Sequence, residues 1–429
     1  MKESMKLYDF QKKVLKQVKN KNKCAFYLDM GLGKTFVGSE KMKSLKGKVN
    51  LIICQKSKVQ DWIDHFEAYY SVLVYDLTKK KSLNDFVIET LFQKKIVVGI
   101  INYDLIWRRD DLKKIRLDTL MLDESSLIQN DTTKRTKFIV RMHYNNLIFL
   151  SGTPTGGKYE KLYTQLKMLG MSRNKTQFWN DFVEWHFENF GQSMPFKVVD
   201  GYKNVNQLKK EMKKLGCVFM KTEEVIELPD KRFVIEPVLR SREYVVFLKH
   251  RIVKFKHKDE LIEFVGDVSL KYLLYLRMLA SAAFNKMKMQ TILDYIESTE
   301  ERIIIFYNFK AERDELVRRI KRPVSEISGD KKDLKAYENE SDSITLVQYQ
   351  AGAMGINLQK AAITIYASPT LSSELYEQSK KRTHRIGQIK SCLYILPTCG
   401  IEHHIYDVLN QRKDYTNALF EKHIEDKRI

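Results

Sequence analysis

Residues 24–28 form a short apolar run of the kind that makes a buried strand. Asp29, Met30, Gly31, Leu32, Gly33, Lys34 and Thr35 follow, and then a segment with helical spacing. Strand, glycine turn, Lys-Thr and helix, in that order, can build a phosphate cradle. Gly31 and Gly33 let the backbone bend and bring N–H groups close to an anion, and the helix start adds its positive dipole end. In such a cradle Lys34 would reach the β- and γ-phosphates, and the Thr35 hydroxyl would ligate Mg²⁺. The strict G-x-x-x-x-G-K-[ST] pattern has glycine where this chain has Leu28. Taken alone, the stretch also suits an ordinary strand-to-helix turn.

The rest of the chain narrows the choice. Its 429 residues suggest two or three domains. Apolar runs at 24–28, 49–54, 96–101, 119–122 and 147–150 alternate with amphipathic stretches, the rhythm of a parallel sheet with helices on both faces. From about 158 to 290 long helical patterns dominate. Residues 207–215 read as a helix closed by Gly216, and residues 270–279 as a largely buried helix. Phe178, Trp179, Phe182, Trp185, Phe187 and Phe190 cluster there, suited to core or inter-helix packing, with base stacking as the rival use. The alternation resumes with strands at 302–307, 344–347, 362–366 and 392–396. The fold expected is α/β, with two parallel-sheet units flanking a helical middle.

Charge points to the partner. Lys and Arg number 75 and Asp and Glu 54, so the net charge is 75 − 54 = +21. That excess favours a polyanion through phosphate neutralisation and counterion release. Cys24, Cys54, Cys217, Cys392 and Cys399 include no C-x₂-C pair, so they read as buried free thiols in a reducing compartment rather than a zinc site. His403 and His404 lack partners at ligand spacing and read as a surface pair. Residues 1–7 are charged, without the apolar core of a signal peptide. No apolar run approaches the roughly 18–20 residues of a membrane span. A soluble, cytoplasmic protein with no membrane partner is expected.

Three further constellations carry chemistry. Leu120-Met121-Leu122 ends in Asp123 and Glu124. At a strand's carboxyl end, Asp123 can hold Mg²⁺ through water and Glu124 can polarise the water that attacks a γ-phosphate. Ser151-Gly152-Thr153-Pro154 follows another strand and suits a tight turn near the phosphates. Arg382 and Arg385, three apart on a helix, would share one face and serve as arginine fingers. The same pair also suits a solvated basic face. Residues 351–357, with Gly352, Gly355 and Asn357, are small enough for close backbone approach to a ligand.

Together these residues resemble the Swi/Snf-type DNA-dependent ATPases of helicase superfamily two, in family order from Leu7 to about Tyr406. Leu7-Tyr8-Asp9-Phe10-Gln11 is similar to the adenine-reading glutamine motif. Residues 51–54 with Gln60-Asp61-Trp62 and Phe66, and then Asn102-Tyr103-Asp104, resemble two further motifs, with Gln55 where proline is usual. Asp123-Glu124-Ser125-Ser126 stands where the family more often has Gly-His after the acids. Ser151-Gly152-Thr153-Pro154 matches outright. Residues 217–230 are similar to the return from a helical protrusion. Residues 303–308 resemble the strand of motif four. Gln350 to Leu358 resembles motif five, with Gln350 and Ala353 replacing the usual arginine and glycine. His384-Arg385-Ile386-Gly387-Gln388 is the most specific match.

The resemblance implies two RecA-like lobes of the P-loop NTPase class with a helical insertion between them. The first lobe would cover 1–235, with its protrusion from about 158. A helical brace would cover 236–290, and the second lobe 291–429. ATP would be held by Gln11, Met30, Gly31, Leu32, Gly33, Lys34 and Thr35, with Gly355 and Asn357 from the second lobe, and Mg²⁺ by Thr35 and Asp123. Catalysis would fall to Lys34, Asp123, Glu124, Arg382 and Arg385. Coupling to DNA would fall to Ser151, Gly152, Thr153, Gln350, Gly352 and Gln388. The function expected is ATP-driven translocation along double-stranded DNA in replication, repair or recombination, with a fork or single strand as other substrates. A strand-separating DNA helicase is the alternative. Retention of Lys34, Thr35, both acids and Arg385 argues against a non-hydrolysing binding module, and Arg382 and Arg385 in a distant second unit, with the chain's charge of +21, against a metabolic kinase. A monomer of minimal bacterial or phage-like form is expected, with any recruiting or nuclease partner left open.

Overall fold

The computed structural model describes residues 6–92, 94–188, 196–225, 228–257, 260–352 and 356–420. Phe190, residues 226–227 and residues 353–355, Gly355 among them, lie outside the described residues. The chain divides into two compact units, Met1–Val225 with Asp414–Ile429, and Ile226–Lys413.

The first unit is built on β1 (Lys23–Leu28), β2 (Val49–Cys54), β3 (Leu73–Asp76), β4 (Val97–Asn102), β5 (Arg116–Asp123) and β6 (His143–Ser151). An antiparallel hairpin follows, β7 (Val183–Glu188) with β8 (Phe196–Tyr202), and then β9 (Cys217–Met220). The main sheet runs β3-β4-β2-β5-β6-β1-β9, parallel throughout. Both of its faces are covered, which is why its strands read as unbroken apolar runs. In β1, Cys24, Phe26 and Leu28 enter one core cluster while Ala25 and Tyr27 enter the other. The alternation simply assigns neighbours to opposite layers.

The second unit begins with β10 (Lys231–Pro237) and a second hairpin, β11 (Ile252–His257) with β12 (Glu260–Val265). Its sheet adds β13 (Ile303–Tyr307), β14 (Val324–Ile327), β15 (Lys332–Asp333), β16 (Ile344–Gln348), β17 (Ile363–Tyr366) and β18 (Cys392–Thr398). The order is β10-β18-β17-β13-β16-β14-β15, and β15 alone pairs antiparallel. The architecture is α/β with two parallel-dominated seven-stranded sheets.

The middle of the chain differs from the helical pattern expected there. Both hairpins fall in it. In β11, Val253 and Phe255 alternate with Lys254 and Lys256, a period of two within a short charged stretch. The helix Ser269–Ala280 is buried only along Leu276, Leu279 and Ala280, while Leu270 is 79% exposed and Leu274 39%. Its apolar residues lie all round the helix, and the packed cluster of Tyr244, Phe247, Val253 and Phe264 covers one face. The unit boundary falls near 225 rather than 235, because β10 pairs with β18 from Lys231 to Pro237. Phe178 and Phe182 are fully buried, whereas Phe187 is exposed and the Lys197 ammonium lies over the Trp185 ring at 3.7 Å. All five cysteines are buried free thiols. Among the described residues no helix is long and apolar enough to cross a membrane.

Candidate nucleotide site

Three parallel neighbours, β1, β6 and β5, end together: Tyr27 is level with Ser151, and Asp123 with Leu150. Whatever follows those strands is gathered at one sheet edge, where α/β folds hold their ligands. From β1 comes the glycine turn, from β5 the acid pair, from β6 the turn 151–154.

The glycine turn leads into the helix Lys34–Ser44, with Gly33 as its cap at φ +69°. A Cβ at Gly33 would stand 2.4 Å from Gln11 Nε2, so glycine is required there by both backbone and neighbour. Gln11 is buried and donates from Nε2 to the Leu32 carbonyl (3.1 Å), while its Oε1 accepts from Tyr8 N–H (3.0 Å). The sequence motif at 7–11 is thus bonded to the loop. Lys34 Nζ donates to the carbonyls of Leu28 (3.0 Å) and Asp29 (3.3 Å). A Cβ at Gly152 would lie 3.3 Å from that ammonium, which sets the turn 151–154 beside the loop. Met30, Gly33, Lys34 and Thr35 are partly exposed and Gly31 is exposed. Leu32 is fully buried and anchors the turn.

The acid pair is held tightly. Trp62 Nε1 donates to Asp123 Oδ2 at 2.9 Å. Burial raises the Asp123 pKa, opposed by the Trp62 bond and the Lys34 and Lys58 charges. Glu124 sits at φ +56°, ψ +60°, a left-handed conformation costly for a side chain with a Cβ. Tyr103 OH braces that turn by donating to the Asp123 carbonyl (3.0 Å) and the Glu124 carbonyl (3.4 Å). Ser151 Oγ donates to Glu124 Oε2 at 3.4 Å and accepts from Thr153 N–H at 3.2 Å. A paired carboxylate, a second acid beside Ser151, a lysine and a glycine-capped helix start suit a triphosphate with its metal. Lys34 and the helix N–H groups would hold phosphate oxygens; Thr35 and Asp123 would hold Mg²⁺.

Sequence reading gave no role to several residues here. Trp62 was visible only as part of a motif. Thr222, just after β9, donates from Oγ1 to Asp29 Oδ2 (3.3 Å) and to the Met30 carbonyl (3.3 Å), bracing the loop from a distant segment. His65 is buried among Phe36, Trp62, Phe66, Tyr69 and Tyr70, with Nε2 2.9 Å from Ser39 Oγ. Burial pushes its pKa down to about 4. The folded unit keeps His65 neutral while the unfolded chain protonates it near 6.5, so stability is lost as pH falls from about 6.5 to about 4 and is flat above. The full effect is roughly 3 kcal/mol. Urea midpoints from pH 7.5 to 4.5 should fall more steeply for the wild type than for His65→Gln; equal slopes would refute the assignment.

In the second unit, Arg382 is buried in the helix Ser373–Thr383. Arg385 is not on that helix, contrary to the expected shared face. His384 ends it, and Gly387 at φ +94° turns the chain away. His384 Nε2 is 2.7 Å from the Pro229 carbonyl, which fixes the helix end. Arg385 is partly buried, burial lowers its pKa, and its buried Nε has no hydrogen-bond partner among the described residues. Gln388 is buried. Its Nε2 donates to the carbonyls of Gln359 (3.0 Å), Ala361 (3.0 Å) and Thr383 (3.3 Å), and Oε1 accepts from Ile389 and Lys390 N–H. That amide closes the loop after the helix rather than facing outward to DNA. Gln350 and Asn357 are exposed, and Gly352 ends the short helix Tyr349–Gly352.

Comparison with known proteins agrees with this geometry. The SNF2-related domain matches residues 11–297, and the helicase conserved C-terminal domain matches residues 287–387. The chain is 24% identical over 386 residues to the SWI/SNF-related matrix-associated actin-dependent regulator of chromatin subfamily A-like protein 1 of Xenopus tropicalis, covering 85% of this chain and 39% of that protein. It is 21% identical over 449 residues to the human DNA annealing helicase and endonuclease ZRANB3, covering 96% and 40%. The chain therefore spans about two fifths of the length of these relatives. A solved Sulfolobus solfataricus SWI2/SNF2 ATPase core in complex with dsDNA aligns with TM-score 0.46 and 18% identity, over 96% of this chain and 92% of that one. The chain belongs to the SNF2-related family and carries the helicase conserved C-terminal domain.

Proposed function

We propose that the chain hydrolyses ATP when DNA is bound and uses the turnover to move along double-stranded DNA. The observation that carries this is the gathering of Lys34, Asp123, Glu124 and Ser151 at the ends of three neighbouring strands. Bound ATP would supply the phosphoryl group, and Mg²⁺ would offset its developing negative charge. Lys34 would bind phosphate oxygens, Thr35 and Asp123 would hold the metal, and Glu124 would accept a proton from the attacking water. We assign the arginine-finger role to Arg385, whose guanidinium has a buried nitrogen with no partner among the described residues. The net charge of +21 favours a polyanionic track. Replication, repair or recombination is the proposed setting, since the relatives named above include a chromatin regulator and an annealing helicase.

The test measures ATPase rates with duplex, single-stranded and forked DNA and with RNA, alongside triplex displacement and strand separation. Duplex-stimulated hydrolysis with triplex displacement and no unwinding supports translocation. Unwinding of plain duplex supports the helicase alternative. High turnover without DNA that DNA does not raise would sink both.

A further inference from the structure

We propose that Gln165 is a positioning residue that locks the acid pair to the turn 151–154, so that the two move as one; this rests on the ATPase reading above. Gln165 lies on the helix Tyr163–Leu169 and is fully buried. With Leu162, Leu166 and Leu169 it occupies the helix stripe that faces the core. An amide at such a position is costly unless it is hydrogen-bonded.

Three of the amide's four bonds are made, and they converge from three strand ends. Gln165 Nε2 donates to the Pro154 carbonyl at 3.0 Å. That carbonyl only accepts, so the amide nitrogen must face it and the oxygen must face the other way. There Oε1 accepts from Tyr27 OH (3.0 Å) and Ser125 Oγ (2.8 Å). Tyr27 lies at the end of β1, just before the phosphate loop. Ser125 follows Glu124, and Pro154 closes the turn after β6. One side chain therefore ties the loop strand, the acid pair and the turn together. Ser125 stands where the family more often has glycine. The added hydroxyl is fully buried, and Gln165 is its partner.

The consequence falls on Glu124. Its left-handed backbone is held on the carbonyl side by Tyr103 and on the following residue by Gln165 through Ser125. Without the second hold, the turn can relax and swing the carboxylate. A displacement of about 1 Å at a reacting group costs on the order of 100-fold in rate. Gln165 touches no reacting atom, so its effect belongs in kcat and not in nucleotide binding.

The test compares wild type, Gln165→Leu, Ser125→Gly and the double variant. Gln165→Leu should lower DNA-stimulated kcat by roughly 10–100-fold. KM for ATP and the affinity for a fluorescent ADP should stay within about twofold, with cooperative melting retained. Adding Ser125→Gly to Gln165→Leu should reduce kcat no further, because the same hold is already gone. Hydrogen exchange read without nucleotide should quicken at the amides of 124–126 and 153 in Gln165→Leu. Wild-type kcat in a folded Gln165→Leu protein, a change confined to KM, or multiplying effects would overturn the proposal. A wild type that hydrolyses no ATP with any DNA refutes the ATPase reading instead, and the exchange comparison still decides whether Gln165 holds the two segments.

Discussion

Glu124→Gln is expected to leave ATP binding intact and to lower DNA-stimulated turnover by roughly 10²–10⁴-fold. The substitution keeps the side chain's shape and its contact with Ser151 Oγ but removes the proton acceptor. In the proposed site, ground-state binding would rest on other groups: Lys34, the glycine turn and the helix start capped by Gly33. A loss in kcat with unchanged KM is the signature of an interaction needed only in the transition state. Single-turnover hydrolysis with saturating duplex, together with equilibrium binding of a fluorescent nucleotide, separates the two. Unimpaired hydrolysis would refute the assignment of Glu124. Equal loss of binding and turnover would assign it to the cradle instead.

The parts of this site that sequence made legible are those whose residue type is dictated by chemistry at a strand's end. Gly33 has a left-handed backbone that favours glycine, and the metal-holding role proposed for Asp123 calls for an acid, so each leaves a mark in one dimension. The buried parallel strands were legible for a related reason: two covered faces demand unbroken apolar runs. What sequence hid is held by tertiary context. Gln165 looks like any helical glutamine until three distant strand ends are seen to meet at it. Its one signal was a polar residue on a leucine stripe. Thr222 reaches Asp29 across 193 positions, and Trp62 reaches Asp123 across 61. The three-residue spacing of Arg382 and Arg385 suits one helix face, but the helix ends at His384 and Gly387 turns the chain, so the pair is split. The hairpins β7–β8 and β11–β12 were missed because short, charged strands carry little apolar signal.

Lys288→Met is expected to destabilise the second unit by about 3–5 kcal/mol. Lys288 and Glu402 are both fully buried, and Nζ bonds both carboxylate oxygens at 2.7 and 2.6 Å. Cys399 N–H donates to Glu402 Oε2 at 2.9 Å, and Asn285, which caps the lysine's helix, donates to the Leu239 carbonyl at 2.9 Å. Leu239 and Cys399 follow the paired strands β10 and β18, so this pair does for the second sheet what Gln165 does for the first: buried polar groups fix segments that leave neighbouring strand ends. Burial already pushes the Glu402 pKa up to about 7. Without Lys288 the carboxyl becomes harder still to ionise, so the folded unit keeps its proton while the unfolded chain gives it up near 4.5. The wild type stops losing stability from this carboxyl near pH 7 and the variant does not, so the variant's deficit should grow as pH rises above about 7 and be smallest below it. Replacing both partners, Lys288→Met with Glu402→Gln, removes the carboxyl that must hold a proton to stay buried and should recover most of the loss. Urea unfolding of the four proteins of this cycle at pH 5 and pH 8 reads all three expectations. A single-variant loss under about 1 kcal/mol, or a double variant as weak as the single one at pH 8, would show that the pair is not what holds these strand ends.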